Sequence, residues 1–388
     1  MNSPASKPLI AIACGGTGGH LFPGLVVAEQ LKQRGCDVAL LISPKEVDQQ
    51  AVKSVSGMEI FTLPAVGLQN RNYFSFTRSF AGSFLAARRI FKQRPPSAVL
   101  AMGGFTSAPP VLAARKFRAK TFLHESNTVP GKANRFLARL VDEAFVGFPE
   151  AAARLRTKKT CVTGTPVRPQ FSQCAIRSPE SAIRLGLDPG LPTMLVVGGS
   201  QGARGLNDLV LSALPLLAEK NWQWLHLTGA NDLEKVRSAY AKLGLKAVVK
   251  PFLAEMDLAL GAATACVSRA GASSLAEIAA MRLPSVLVPL PTAADNHQFY
   301  NAAAFEKDGA ARLLHQNNST PETVASVLTE LVTDESVRSK MQAALTQWHA
   351  PDAAEQIAER MLAVLASNPG VQAESVAAHE IKPGAIAK

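Results

Sequence analysis

Short apolar runs recur along the chain, each ending at a glycine or polar residue and each followed by a helical stretch. In the first half, Leu9–Cys14 ends in Gly15-Gly16, and a helix is predicted over Leu21–Gln33 with Gly35 as its stop. Val38–Ile42, Ala98–Met102, Lys120–Leu123 and Glu143–Val146 follow as strands, the last three ending at Gly103-Gly104, His124 and Gly147. The theme restarts at Thr193–Val197 before Gly198-Gly199-Ser200-Gln201-Gly202. It continues through Trp224–Thr228, Ala247–Val249, Cys266–Val267 and Ser285–Val288. Runs without alternation mark strands buried on both faces, hence parallel sheets covered by helices. Strands alternating with helices in both halves predict an α/β protein of two doubly wound, Rossmann-like domains facing across a cleft. The proline-rich stretch Thr165–Pro192 reads as the entry to the second domain. The expected boundaries are 1–165 and 166–345. A 346–366 segment, with an amphipathic helix over Asp352–Ala366, is expected to pack back on the first domain, and 367–388 is a small, polar tail.

Composition narrows the class. The chain has 388 residues, 47% hydrophobic and 18% charged, which suits two globular cores. No apolar run reaches the ~18–20 residues of a membrane span, and the N-terminal residues lack the features of a secretory signal. Cys14, Cys36, Cys161, Cys174 and Cys266 are scattered, with no C-x-x-C pair, so a reducing cytoplasm is the expected compartment. The net charge of +11 is uneven: residues 1–165 carry +13 and residues 166–388 carry −2. The first half is therefore suited to an anionic partner, a phospholipid surface or nucleic acid, and no nucleic-acid motif is present. Asn70–Arg94 places Phe76, Phe80 and Phe84 four residues apart, with Arg88 next in the row. As a helix this stripe suits the headgroup boundary of an anionic membrane; the competing reading has the phenylalanines packed inward.

In open α/β sheets, ligands bind beyond the carboxyl ends of the strands. His20, His124–Asn127, Ser268–Glu277 and Asp295–Gln298 all fall there. Gly15-Gly16-Thr17-Gly18-Gly19-His20, Gly103-Gly104 and Gly198–Gly202 are three glycine loops at strand ends, suited to backbone contact with phosphate oxygens. The first lacks the lysine of a P-loop and is not a clean G-x-G-x-x-G. Ser268–Glu277 leads from a strand end into a helix whose N-terminus can hold a phosphate. Glu277, two turns in, can accept hydrogen bonds from a ribose diol. Asp295–Gln298 offers amide and imidazole groups suited to sugar hydroxyls, or is a polar helix start with Asp295 as its N-cap.

These motifs resemble, in order and spacing, the MurG family of bacterial peptidoglycan synthesis. The matching segments are GGTGGHLFPGLVVAEQL, MGGFTSAPPVLAA, HESNTVPGKANR, GTPVRPQF, VVGGSQGARGLN and SRAGASSLAEIAAMRLPSVLVPLPTAADNHQFYNA. The resemblance implies a GT-B glycosyltransferase fold. It also implies inverting transfer of GlcNAc from UDP-GlcNAc to the C4 hydroxyl of MurNAc in undecaprenyl-pyrophosphoryl-MurNAc-pentapeptide (lipid I, giving lipid II). It carries donor contacts onto Thr17, Gly18, Gly19, Asn127, Arg168, Ser200, Leu253, Ala272, Ser273, Ser274, Leu275, Ala276, Glu277 and Gln298. In that scheme Ser200 and Ala272–Ser274 hold the diphosphate, Glu277 the ribose, Leu253 the uracil and Gln298 the GlcNAc. Gly15, Gly16, Gly103 and Gly104 cradle the acceptor's pyrophosphate. It further implies an enzyme peripheral to the cytoplasmic face of the inner membrane. The chain departs from the family pattern at Phe105 for tyrosine, Ser126 for glutamine, Thr165 for asparagine and His297 for glutamine.

A displacement at the anomeric carbon needs a base for the acceptor hydroxyl, and an imidazole suits that at neutral pH. His20 is the first candidate, with His124 and Glu125 as the other option; Arg168 and helix N-termini would meet the departing charge. No aspartate pair suggests a metal site, so no tightly bound metal is expected, with a divalent cation at most a stimulant. Diacylglycerol glycosyltransferases and UDP-GlcNAc epimerases are alternatives on the same fold. A dehydrogenase is disfavoured because the second strand ends Leu41-Ile42-Ser43-Pro44, without the acidic ribose ligand.

Overall fold

The computed structural model describes residues 7–53, 55–65, 73–173, 176–199 and 202–367. Seven strands form the first sheet: β1 (Leu9–Ala13), β2 (Asp37–Ile42), β3 (Glu59–Thr62), β4 (Ala98–Ala101), β5 (Lys120–Glu125), β6 (Glu143–Val146) and β7 (Thr160–Val162). All pairings are parallel, in the order β3-β2-β1-β4-β5-β6-β7. Six strands form the second: β8 (Thr193–Val197), β9 (Gln223–Leu227), β10 (Ala247–Lys250), β11 (Ala265–Ser268), β12 (Ser285–Leu287) and β13 (Arg312–Leu313). These too are parallel, in the order β10-β9-β8-β11-β12-β13. The predicted fold class is the observed one, and β6 and β8 keep their predicted bounds.

Side chains of β1 alternate between two cores. Leu9, Ala11 and Ala13 join Leu41, Val99, Leu123 and Phe91 on one face. Ile10 and Ile12 join Leu31, Leu40, Leu100, Phe122 and Phe145 on the other. Ile357, Ala358 and Met361 of the helix Ala353–Ala366 complete this second face, so the last described helix belongs to the first domain's core. It is fastened at its rim by Arg34 to Glu355 at 2.6 Å and Arg360 to Glu143 at 2.6 Å; the Glu143 carboxylate is buried and also faces Lys159 at 3.2 Å.

The chain thus crosses between domains twice, near residue 165 and near residue 350. The crossings touch: Gly164 has φ +79°, and a side chain there would overlap Ala350. Phe148, which follows β6, inserts into the second domain's core against Phe305 and Trp348, at ring-centroid distances of 6.2 and 5.2 Å.

The helix Gly18–Gln33 packs tightly on β1 because Gly24 has no side chain. A Cβ there would lie 2.5 Å from Cys14 Cβ and 3.1 Å from Met102 Cγ. Alanine is the better helix former by about 1 kcal/mol, but overpacking costs about 1–3 kcal/mol. Gly24→Ala is therefore expected to lower the thermal midpoint; a raised midpoint would show that the helix can shift outward without penalty.

Candidate active site

The order of each sheet reverses beside its first strand, between β1 and β4 and between β8 and β11, and the loops after those strands flank the crevice where ligands bind in such folds. In the first domain these are the glycine loop 15–19 and Gly103–Phe105. In the second they are the loop after β8 and the turn 269–271. The two crevices face each other: a Cβ on Gly19 would lie 3.4 Å from Ser273 Oγ.

Each side offers an uncapped helix N-terminus. The helix Gly18–Gln33 starts after Thr17 and the helix Ala272–Ala280 after Gly271, and neither has a side-chain cap. The first amides of a helix have no acceptor within it, and they lie at the positive end of its dipole. The amides of Gly18 and Gly19 therefore oppose those of Ala272, Ser273 and Ser274 across the cleft, an arrangement suited to a diphosphate.

The earlier glycines do something else. Gly16 N–H donates to Asp48 Oδ2 at 2.6 Å, and the same oxygen accepts from Ser43 N at 3.1 Å and Ser43 Oγ at 2.5 Å. Asp48 is fully buried beneath the loop, and a Cβ on Gly15 would lie 2.8 Å from its carboxylate. Gly103 N–H bonds Ser107 Oγ at 3.0 Å. The amides of Gly16 and Gly103 are thus committed internally, which corrects their part in the expected backbone cradle of Gly15, Gly16, Gly103 and Gly104 for a pyrophosphate. Gly103 and Gly104, at φ +103° and +74°, instead make room for the His20 ring. A Cβ on either would lie 3.0 Å from an imidazole carbon.

His20 is half-buried in that slot, and its Nδ1 is enclosed without a partner of good hydrogen-bond geometry among the described residues. Burial lowers its pKa from the usual histidine value, outweighing Glu125, the Met102 carbonyl and Asp48, which favour the cation. His297 across the cleft lowers it further. The ring is therefore held neutral, the form that accepts a proton.

The alternative bases are engaged elsewhere. His124 and Glu125 lie inside β5, not beyond it as the sequence suggests. His124 is buried, with Nε2 3.0 Å from the Gly164 carbonyl and Nδ1 3.3 Å from Ser126 Oγ, and burial lowers its pKa. Glu125 Oε1 accepts from Asn127 N and Nδ2 at 2.8 and 3.0 Å. Its Oε2 accepts from Gly131 N and Asn134 Nδ2 at 2.9 and 2.8 Å. A carboxylate with both oxygens saturated holds a loop, so the structure corrects the assignment of Glu125 as a base.

On the donor side, Glu277 projects from the Ala272–Ala280 helix and is mostly buried. Burial pushes its pKa up to about 7, against the pull of Arg168 3.4 Å away. Arg168 is stacked over Phe22 of the first domain at 4.4 Å and over Phe171 at 4.8 Å. It positions Glu277 beside the interdomain crossing. Leu275 is wholly buried and Ala272 nearly so, so they contribute backbone rather than side chain; Ala276 lies on the half-buried face. Gln298 is anchored through Oε1, which accepts from Leu290 N at 2.9 Å. Arg269 is buried, donating to the Val288 and Pro289 carbonyls and to Gln316 Oε1, which fixes the proline loop; burial lowers its pKa to about 10. Leu253 is buried in the segment after β10, beside an exposed Phe252. Ser200 lies outside the described residues. Asp295 is not the cap of the helix His297–Lys307: that position is Asn296, and Asp295 pairs with Arg135 of the first domain at 2.5 Å. Asn127 is held between Glu125 and Asn301: its Nδ2 donates to Glu125 Oε1 and its Oδ1 accepts from Asn301 Nδ2, each at 3.0 Å. Among the described residues no group of three or more His, Cys, Asp or Glu side chains could hold a metal.

Sequence reasoning missed Asp48, Asn134 and Asn301. An asparagine inside a helix is a weak signal of a buried polar contact, since it disfavours helix unless bonded; nothing in the sequence marks Asp48.

Two nucleotide-type domains with opposed, uncapped helix N-termini at their switch points define a glycosyltransferase of the two-Rossmann, GT-B type. The glycosyltransferase family 28 N-terminal domain matches residues 10–146 and the family 28 C-terminal domain residues 193–357. The chain is 36% identical over 355 residues to the Anaeromyxobacter sp. (strain K) UDP-N-acetylglucosamine--N-acetylmuramyl-(pentapeptide) pyrophosphoryl-undecaprenol N-acetylglucosamine transferase, spanning 90% of this chain and 91% of that one. It is 34% identical over 361 residues to the protein of the same name from Lacticaseibacillus casei (strain BL23), spanning 92% and 98%. The Acinetobacter baumannii MurG crystal structure superposes with a TM-score of 0.71 at 27% identity, over 92% of this chain and 99% of that one. The chain belongs to the MurG family.

Proposed function

We propose that this enzyme transfers GlcNAc from UDP-GlcNAc to the MurNAc C4 hydroxyl of a polyprenyl-pyrophosphoryl acceptor, lipid I, with inversion. The observation that carries this reading is the pair of opposed helix N-termini, with a neutral imidazole on one side and Glu277 on the other. The donor's diphosphate lies at the N-terminus of Ala272–Ala280, with its ribose hydroxyls on Glu277 and its sugar at the Gln298 amide. His20 takes the proton as the acceptor oxygen bonds to the anomeric carbon, and the bond to UDP breaks on the opposite face. The diphosphate charge that develops is met by backbone amides already aimed at it, without reorganisation. The test is an assay with UDP-GlcNAc and a short-chain lipid I analogue, with diacylglycerol and free UDP-GlcNAc as controls. Transfer to diacylglycerol, or epimerisation without acceptor, would replace this reading with one of the alternatives on the same fold.

The acceptor's lipid requires docking at a membrane, and no described helix is long and apolar enough to cross one. The docking element is the helix Tyr73–Gln93. Its stripe is corrected by the structure: Phe80 and Phe84 lean on the first domain's core, and Phe76 is half-buried against Phe80 at 6.2 Å. The exposed face carries Phe74, at 79% exposure, and Leu85, at 59%, with Arg78, Arg88 and Arg89. Phe74 and Leu85 are eleven residues apart, about three turns, so they share a side. Arg71 lies outside the described residues. Basic residues beside exposed apolar ones suit an anionic headgroup layer, each worth about 1 kcal/mol near the surface. Phe74→Ser/Leu85→Ser is expected to reduce co-sedimentation with anionic liposomes several-fold without lowering the thermal midpoint, whereas Phe80→Ser destabilises. Wild-type protein that ignores anionic liposomes would remove this helix from the membrane.

A further inference from the structure

Asn301 is a heavily used polar side chain outside the site just described, with four hydrogen bonds. It lies on the helix His297–Lys307 of the second domain and is completely buried. Its Oδ1 accepts from Thr128 N and Thr128 Oγ1, each at 3.0 Å. Its Nδ2 donates to Asn127 Oδ1 at 3.0 Å and to the Ala270 carbonyl at 3.1 Å. One amide therefore makes four bonds, three to the first domain's loop after β5 and one to the residue before Gly271, where the Ala272–Ala280 helix begins.

The chain of bonds continues on the first-domain side. Asn127 donates to Glu125, whose other oxygen accepts from Asn134. Asn134 Nδ2 also reaches the His124 carbonyl at 3.3 Å, and it lines the slot of the candidate base: a Cβ on Gly103 would lie 3.2 Å from Asn134 Nδ2 and 3.0 Å from His20 Cε1. A continuous set of buried and part-buried hydrogen bonds thus runs from the donor-side turn, through Asn301, Asn127, Glu125 and Asn134, to the wall of the His20 slot. The other polar contact between the domains in this region, Arg135 with Asp295, is exposed and correspondingly weak.

We propose that Asn301 is a positioning residue that fixes His20 relative to the donor turn, so that base and sugar are held in register across the cleft. Displacements need the reacting atoms placed within a few tenths of an ångström, and an error of about 1 Å can cost about a hundredfold in rate. An amide suits this task better than a charged group, since it both accepts from Thr128 and donates to two oxygens of different chains of bonds. An aspartate of the same shape would present a carboxylate to Asn127 Oδ1 and the Ala270 carbonyl. The inference rests on the donor and base assignments above.

The experiment compares Asn301→Ala and Asn301→Asp with wild type in the full chain, measuring UDP affinity by calorimetry, kcat with UDP-GlcNAc and a short-chain lipid I analogue, and interdomain spacing by solution scattering. Both variants are expected to bind UDP within about threefold of wild type, to lose at least about tenfold in kcat, and to show a broader cleft. Asn301→Asp is expected to be no better than Asn301→Ala despite its matching shape. The proposal is overturned if either folded variant keeps wild-type kcat, if Asn301→Asp restores activity, or if UDP affinity falls by as much as kcat, which would place the defect in the donor turn alone. Should Asn301→Ala not fold, Asn127→Ala reads the same link from the first domain and must give the same split. Where both single variants fold, the Asn127→Ala/Asn301→Ala double variant must lose no more than the worse single one, because the two act in series. Wild-type protein that fails to bind UDP would instead overturn the donor assignment.

Discussion

His20→Ala is expected to lower kcat by roughly 10²–10⁴ while UDP affinity stays near wild type, the range for loss of a general base. The argument is geometric before it is electrostatic. The ring occupies a slot that only two consecutive glycines leave open, and it faces the cleft where the two domains' helix N-termini meet. His124 and Glu125 are the residues that could replace it, and each is already saturated within the first domain. The direction of the pKa shift sets the pH dependence. Burial holds the His20 value below the ordinary histidine value, so the base form persists as pH falls through about 6.5, and the acid limb of kcat lies lower still. In His20→Ala that limb disappears. A variant within a few-fold of wild-type kcat would reduce His20 to a structural group and leave the reaction to proceed without a protein base.

Glu277→Ala is expected to raise the UDP-GlcNAc KM by tenfold or more, since each charge-assisted hydrogen bond to a ribose hydroxyl contributes about 1.5–3 kcal/mol. The acceptor KM should hardly move. The pKa of about 7 adds a second signature. In the empty site the carboxyl is protonated over much of the acidic range, and the diol donates best to the carboxylate. Donor affinity should therefore rise between about pH 6 and 8, and Glu277→Gln should flatten that rise. Stability moves oppositely. The folded-state value lies above the unfolded one, so the folded state holds the extra proton and loses stability as pH climbs from the ordinary carboxyl range through about 7. Glu277→Gln is relieved of that cost and should be no less stable than wild type at pH 8, although it binds donor worse. An unchanged donor KM in a folded variant would refute the ribose contact.

The buried strands were legible because a strand covered on both faces needs a largely apolar run: β1 is apolar throughout, and β6 and β8 are apolar after their first residue. β3, β7 and β13 escaped the reading. They are edge strands of two to four residues, largely exposed or half-exposed, and no hydrophobic pattern is required of them. The phenylalanine stripe shows a different limit. Spacing by four establishes that Phe76, Phe80 and Phe84 share a side of the helix, but it does not say whether that side meets protein or solvent; at Phe80 and Phe84 it meets the core. The glycine loops were located correctly as loops. Their hydrogen bonds were not legible, because Gly16's acceptor, Asp48, lies 32 residues away and is supplied by the short helix Glu46–Ala51 after β2. Asn301 is the extreme case: its bonds to Asn127 and Thr128 span more than 170 residues, and no local pattern reports such contacts. Ordered motifs carried the family where single residues could not.

The meeting of Gly164 with Ala350 makes the second domain, in topological terms, a cassette inserted into the first between β7 and the helix Ala353–Ala366. Its two ends leave and re-enter at one place, so the host sheet's last helix is in position whichever cassette is carried. Such an arrangement permits the nucleotide-handling half to be exchanged, or its ends joined and the chain reopened elsewhere, without cutting through either core. It also implies one pivot rather than two: the halves can rock about the point where the strands of chain pass each other, and a bulky residue at position 164 would jam it.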